Sequence, residues 1–202
     1  MPAGLILAGG RSNRFGSDKS LALLDGRSLL ELAALALEPY CAPLAVSAAP
    51  GSGGAEQAAR LGLEVLHDRP DDAPSPLAGI RAGLEWIAGL GIRRLAVRAV
   101  DTPFARPALL ARLTEAIGPA PAAYCVTDDG PQPLCSIWSL DALPPLAEAL
   151  THERHLPIHR FLDSLGAAAV RTPDAGAFAN VNTREDLRLA QSGGGARWWR
   201  DG

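Results

Sequence analysis

The chain holds only three cysteines among its 202 residues, Cys41, Cys125 and Cys135. Their spacing matches no zinc pattern, and an odd count suits reduced thiols in a cytoplasm better than a disulfide framework. An excess of basic residues is also missing. The net charge of −3 excludes the basic face that broad electrostatic binding of nucleic acid requires. No apolar run is long enough to span a bilayer. The apolar stretch 5–8 is far too short for the hydrophobic region of a signal peptide. A cytoplasmic protein, bound to neither membrane nor nucleic acid, is the expectation. Internal repeats are absent. Two familiar phosphate loops are absent as well. A P-loop needs G-x-x-x-x-G-K-[ST], but Asp18 stands where glycine must precede Lys19. A dinucleotide fingerprint needs G-x-G-x-x-G, but here Gly9 and Gly10 are adjacent and the next glycine is Gly16.

What is present suits one domain over residues 1–191, since 48% of the chain is hydrophobic and domains commonly reach about 200 residues. The run Ser192-Gly193-Gly194-Gly195 reads as a linker into a flexible tail, residues 192–202, that carries the pair Trp198-Trp199. Short apolar runs alternate with amphipathic stretches. Strands are expected at residues 4–8, 43–48, 63–67, 94–100, 122–127, 133–139 and 167–171. Helices are expected at 28–38, 77–89, 107–117, 141–150, 156–165 and 183–190. Ser28 and Glu31 form a capping-box pattern before the first helix, and Pro107 opens another. This alternation predicts an α/β fold of three layers, Rossmann-like, with a mainly parallel sheet covered by helices on both faces. Ligands of such sheets sit at the carboxyl ends of the strands.

The residues with chemistry to offer fall at those ends. Residues 5–19 run from a strand into Gly9-Gly10, then a cationic loop with Arg14, then Lys19. Paired glycines let backbone N–H groups of residues 8–10 approach a polyphosphate, and the two cations add positive charge. Asp101 ends an apolar strand and is followed by Thr102-Pro103. A carboxylate so fixed suits Mg²⁺, which takes one or two carboxylates plus phosphate oxygens and water. Asp68, just after the third strand, reads on its own as an ordinary loop acid, although a carboxylate there could accept hydrogen bonds from a base edge or a ribose. Ser75-Pro76-Leu77-Ala78-Gly79 opens a helix. In residues 178–187, Thr183 and Asp186 read as a capping box with Asp in place of Glu. Asn180 and Asn182 flank Val181 and point to one side of an extended stretch. His152, His155 and His159 are spaced for one helix face, but Pro157 interrupts them, so they are expected to be solvated or structural. Arg154 and Arg160 offer a cationic lip for a phosphorylated substrate.

The pattern L-A-G-G-x-S-x-R-F-G-x-D-K, with Asp101-Thr102-Pro103, the Pro76–Gly79 segment and Asn180-Val181-Asn182-Thr183, resembles the nucleotidyltransferases. It is most similar to the molybdenum cofactor guanylyltransferases. Four departures stand out: Phe15 for Met, Ser75 for Gly, Val100 for Cys and Arg184 for Pro. The resemblance covers residues 5–187. It implies transfer of GMP from GTP to molybdenum-molybdopterin with release of pyrophosphate, and delivery toward molybdoenzyme maturation proteins. It implies Lys19, Asp101 and Arg14 as catalytic residues, with Mg²⁺ on Asp101. Leu7, Ala8, Gly9, Gly10, Lys19, Ser47, Asp68 and Asp101 would bind the nucleotide. Gly79, Arg154, Asn180 and Asn182 would bind the acceptor. Three other readings stay open at this point: a cytidylyltransferase for the same pterin, a sugar-phosphate nucleotidyltransferase, and a non-enzymatic domain that delivers cofactor.

Overall fold

The computed structural model describes residues 1–9, 18–152, 156–173, 175–192 and 197–200. In chain order the elements are β1 (Ala3–Leu7), β2 (Leu23–Leu24), β3 (Arg27–Ser28), α1 (Leu29–Leu37), β4 (Leu44–Ser47), α2 (Gly53–Arg60), β5 (Glu64–Leu66), α3 (Pro76–Gly89), β6 (Arg94–Ala99), α4 (Ala108–Ala116), β7 (Ala122–Thr127), β8 (Gly130–Ser139), α5 (Leu143–His152), α6 (Ile158–Ser164), β9 (Ala168–Arg171) and α7 (Arg184–Ser192). One sheet runs β5-β4-β1-β6-β8-β7-β9. Its pairings are parallel except where β8 lies antiparallel between β6 and β7. The fold is α/β and Rossmann-like, as the alternation predicts.

Side-chain alternation along the strands builds two cores. From β1, Leu5 and Leu7 point to one face, where Leu77, Ile80 and Leu84 of α3 meet Leu146 of α5 and Phe161 of α6. Ile6 points to the other face, against Leu29, Leu32 and Leu37 of α1 and Leu110 and Leu113 of α4. Period-two alternation in the strand thus produces the three layers. Connections leave β1 toward β4 and β5 on one side, and β6 lies on the other. The order reverses at the β1/β6 crevice, which is where open parallel sheets bind ligands.

The capping boxes form as read. Ser28 Oγ accepts from the Glu31 N–H at 3.1 Å and Glu31 Oε2 accepts from the Ser28 N–H at 2.6 Å. Thr183 Oγ1 accepts from the Asp186 N–H at 3.0 Å, and Asp186 Oδ2 accepts from the Thr183 N–H at 2.8 Å.

Other local readings are corrected. Pro107 is the N-cap of α4 rather than its first residue. The predicted helix 141–150 divides into a 3-10 turn, Leu140–Ala142, and α5. β8 begins at Gly130, three residues early, because the two-residue loop Asp128-Asp129 closes a hairpin with β7.

The stretch read as a flexible tail is docked at residues 197–200. Trp198 Nε1 donates to the Pro103 carbonyl at 2.9 Å, and Trp199 Nε1 donates to Asp25 Oδ2 at 3.2 Å. The Trp199 ring lies 5.9 Å from Phe104. Arg197 and Arg200 both pair with the Asp25 carboxylate. Apolar ring area and two guanidiniums on one carboxylate act against the entropy of ordering this segment. Burial raises the Asp25 carboxyl, but the Arg197 and Arg200 bonds outweigh it and leave Asp25 below its ordinary value.

Candidate active site

The site is assembled where β1, β4 and β6 end. Val100 donates its N–H to the Leu7 carbonyl at 3.3 Å, which extends the β1/β6 pairing to the edge and delivers Asp101 there. The Ala8 N–H donates to the Ser47 carbonyl at 3.0 Å. This amide continues the β1/β4 ladder, so it is not turned toward a phosphate as the sequence reading supposed. Leu7 is 7% exposed and packs with α3, so its side chain is core. Gly9 is exposed, and a Cβ built on it meets no atom within 4 Å. Gly10 and Arg14 lie outside the described residues.

Lys19 opens a 3-10 turn, Lys19–Leu21, capped by Asp18. One Asp18 oxygen accepts from Ser20 N at 3.1 Å and Ser20 Oγ at 2.6 Å. The other accepts from Gly54 N at 2.8 Å, at the start of α2. Gly53 makes this approach possible, since a Cβ there would stand 2.7 Å from Leu21 Cδ1. Asp18 is thus the brace that aims Lys19. The Lys19 ammonium donates to Asp101 Oδ2 and to Asn182 Oδ1, both at 2.9 Å. Three motifs separated by 82 and 163 residues meet in this bridge.

The Asn segment is tied to the same loop. Val181 is 1% exposed, and its N–H donates to the Asp101 carbonyl at 2.8 Å. With Val181 anchored inward, Asn182 reaches Lys19. Asn180 lines a cavity of about 240 Å³ together with Pro76, Asp101, Thr102, Cys135 and Ile158. Both asparagines therefore reach the site, as the extended reading predicts. Asp186 also accepts from the Asn182 N–H at 2.8 Å. That bond, ahead of those from Thr183, holds the Asp186 carboxyl below its ordinary value despite slight burial.

Asp68 and Ser47 form a second group on the same edge. Ser47 is 5% exposed. Burial raises the Asp68 carboxyl, the charge of Asp72 raises it further, and the Ser47 hydroxyl acts to lower it. Asp72 is itself paired with Arg81 at 2.9 Å. Asp68 follows β5 and Asp101 follows β6, three strands apart. At about 4.8 Å per strand the two lie about 14 Å apart, the reach of a nucleoside triphosphate laid along the edge.

Gly79 lies in neither group. A Cβ there would come within 2.6 Å of Ser47 Oγ and 2.9 Å of Leu7 Cδ2, so its lack of a side chain lets α3 pack onto β1 and β4. The cavity residue of that segment is Pro76. His152 ends α5 while His159 and Arg160 lie on α6; these three are exposed. The histidine row is divided between two helices. His155 and Arg154 lie outside the described residues.

Arg98 was not legible as a site residue. It lies on β6, is 3% exposed, and donates to the carbonyls of Thr102 at 2.9 Å, Pro103 at 3.5 Å and Ala105 at 2.7 Å. Its guanidinium pins the turn that follows Asp101. Burial pulls its pKa down to about 10.

Among the described residues no group of three His, Cys, Asp or Glu side chains is placed to hold a metal. That donor set does not suit zinc. One carboxylate with an amide side chain beside it suits Mg²⁺, whose remaining ligands are phosphate oxygens and water.

Comparison with known proteins gives the same picture. The MobA-like NTP transferase domain matches residues 4–170. The molybdenum cofactor guanylyltransferase of Rhodobacter capsulatus is 42% identical over 195 residues, 94% of each chain. That of Cereibacter sphaeroides is 38% identical over 190 residues, 94% of this chain and 95% of the other. The solved molybdopterin-guanine dinucleotide biosynthesis protein A of Archaeoglobus fulgidus shares the fold at a TM-score of 0.75 and 24% identity, over 94% of this chain and 97% of that one. A Thermus thermophilus 2-C-methyl-D-erythritol 4-phosphate cytidylyltransferase shares it at a TM-score of 0.69 and 18% identity, over 95% and 98%. Matched by that domain over residues 4–170 and by these relatives over most of its length, this chain belongs to the MobA-like NTP transferase family.

Proposed function

We propose that this chain is a molybdenum cofactor guanylyltransferase. It transfers the GMP moiety of GTP to the terminal phosphate of molybdenum-molybdopterin and releases pyrophosphate. The observation that carries the reading is the Lys19 ammonium bridging Asp101 and Asn182 at 2.9 Å each. The names of the 42% and 38% identical relatives supply the substrates.

An acceptor phosphate oxygen attacks the α-phosphorus of GTP in line. The bond from that phosphorus to the bridging oxygen breaks, and pyrophosphate carries away the electron pair. A phosphate monoester is already largely ionised at neutral pH, so no general base is required. Catalysis is positioning and charge stabilisation. Asp68 receives the guanine edge or ribose. Gly9 and Gly10 are assigned to the phosphates, Lys19 and Arg14 to neutralising them, and Asp18 fixes the direction of Lys19. Asp101 is the residue that would hold Mg²⁺, which supplies charge neutralisation and alignment of the leaving pyrophosphate. Asn180, which lines the cavity beside Asp101, and Asn182 meet the acceptor phosphate, and Arg154 is assigned to the same substrate. A cytoplasmic location goes with a GTP substrate, and molybdoenzyme maturation proteins are the recipients of the product.

The test is direct. The purified chain, given GTP, Mg²⁺ and molybdenum-molybdopterin, should release one pyrophosphate per pterin dinucleotide formed, read by coupled phosphate assay and by product mass. Pyrophosphate release without dinucleotide, or neither, rejects the reading.

A further inference from the structure

Two buried thiols touch in the wall of the cavity. Cys125 on β7 and Cys135 on β8 bring their sulfurs to 3.6 Å. Cys125 is 0% exposed and Cys135 is 7% exposed. Only Cys135 lines the cavity that holds Asp101 and Asn180, so a small molecule entering there meets Cys135 first.

A cation stands beside the pair. Arg98 and Cys135 are register partners across β6 and β8, and directly opposed residues project to the same face of a sheet. Three carbonyls take the Nη2 group of Arg98, but its buried Nε has no hydrogen-bond partner among the described residues. The groups that act on the pair are Arg98 from β6, each thiol on the other across β7 and β8, and the charge of Arg112 from α4 on Cys125. The Cys125 S–H bond and then the Arg98 charge hold the Cys135 thiol below its ordinary value, against burial. Its bond to Cys135 and burial push the Cys125 thiol up. The cavity reaches Cys135 and not Cys125, and Arg98 stands opposite Cys135, so the geometry divides the roles, the thiolate being the nucleophile.

We propose that Cys135 and Cys125 form an oxidisable thiol pair in the cavity wall, with Cys135 attacking a peroxide that enters through the cavity and Cys125 resolving the product. The Cys135 thiolate attacks one peroxide oxygen and the O–O bond breaks. Cys135 becomes a sulfenic acid, oxidised by two electrons, and the peroxide is reduced with loss of hydroxide or alkoxide. Cys125 then gives up its proton and its sulfur attacks the Cys135 sulfur. The S–O bond breaks, hydroxide leaves and takes the proton as water, and the disulfide forms. Two thiols and one peroxide thus give a disulfide, water and water or an alcohol. A disulfide needs sulfurs about 2.05 Å apart, so the pair must close by about 1.5 Å. The register irregularity between Tyr124 and Cys125 gives β7 local slack for that movement.

Cys41 is an internal control. It is 2% exposed, away from the cavity, and burial pushes its thiol up to about 12. The full-length reduced chain is exposed to a small molar excess of hydrogen peroxide. It is then denatured, alkylated with iodoacetamide and read by peptide mass. The expected product has lost two hydrogen atoms, links the Cys125 and Cys135 peptides, leaves Cys41 alkylated, and returns to the start with dithiothreitol. In Cys125→Ser the oxidation should stop at Cys135 as a dimedone adduct, whereas Cys135→Ser should leave Cys125 unreacted. Arg98→Met should slow native alkylation of Cys135 at neutral pH, because the positive charge that favours its thiolate is gone. If that variant misfolds, reaction of Cys41 reveals it, and the serine variants decide the question. Equal oxidation of Cys41 in the folded chain, links only between molecules, or no dimedone adduct in Cys125→Ser overturns the proposal.

Discussion

Replacing Lys19 by alanine separates chemistry from folding. The ammonium donates to Asp101 and Asn182 at 2.9 Å each, and the Lys19 and Asp101 side chains are 17% and 22% exposed. Alanine leaves Asp101 without its cation, but that carboxylate still reaches water. The stability cost should stay near the range of exposed ion pairs, about 1 kcal/mol or less. For a chain of this size that is a fall of about 2–4 °C in Tm. The catalytic cost is larger, because charge on the triphosphate grows during transfer and Lys19 is already aimed by Asp18. Loss of one preorganised charge stabiliser costs about 2.7–4 kcal/mol, or about 10²–10³ in kcat. Thermal melting and steady-state pyrophosphate release are measured on the same preparation. Lys19→Arg should recover little, since a planar fork does not fit where a compact ammonium meets two acceptors. A folded Lys19→Ala chain turning over within a few fold of wild type would refute the reasoning.

Asp101→Asn should keep its shape and lose Mg²⁺ affinity, so the Mg²⁺ titration of activity moves to higher concentration or reaches no plateau; an unchanged titration makes Asp101 a turn residue only. Asn182→Ala should slow transfer about ten- to a hundredfold, the worth of a hydrogen bond to a charged group at about 1.5–3 kcal/mol. The GTP Kd by calorimetry should stay within a few fold, and parallel loss of both would move Asn182 to the nucleotide. Because burial and the Asp72 charge hold Asp68 above its ordinary 3.8, Asp68 takes up its proton at higher pH than a free aspartate. GTP affinity should therefore begin to fall above that pH on acidification, and Asp72→Asn should shift the fall to lower pH. A shift to higher pH contradicts the electrostatics.

Much of this was legible because the local signals agree with the fold. The Ser28/Glu31 and Thr183/Asp186 boxes are read by type and spacing, and both form. Asp101 was legible because an apolar strand ends at a carboxylate before a proline. Helix α2 was missed because its anchors are polar: two glycines open it, only Gly54 and Ala58 are buried, and Ser52 and Asp18 cap it. The β2/β3 hairpin was missed although Asp25-Gly26 is a two-residue turn signal, with φ of 54° and 79°. Its strands have two residues each, too short to show alternation. Arg98 was hidden because a charge inside an apolar strand gives no sign of the carbonyls it will meet. Where Trp198 and Trp199 come to rest was not legible, because a Ser/Gly run before a Trp pair suits docking on the domain and a frayed end alike.

The central claim is guanylyl transfer, and competition among nucleotides tests it most directly. The chain is given molybdenum-molybdopterin, Mg²⁺ and equal concentrations of GTP, CTP and ATP, each labelled on the α-phosphate, and the dinucleotide product is separated by mass. The account predicts that the guanine dinucleotide dominates, with label retained from GTP and one pyrophosphate released for each. A cytosine or adenine dinucleotide in equal or greater yield would contradict it.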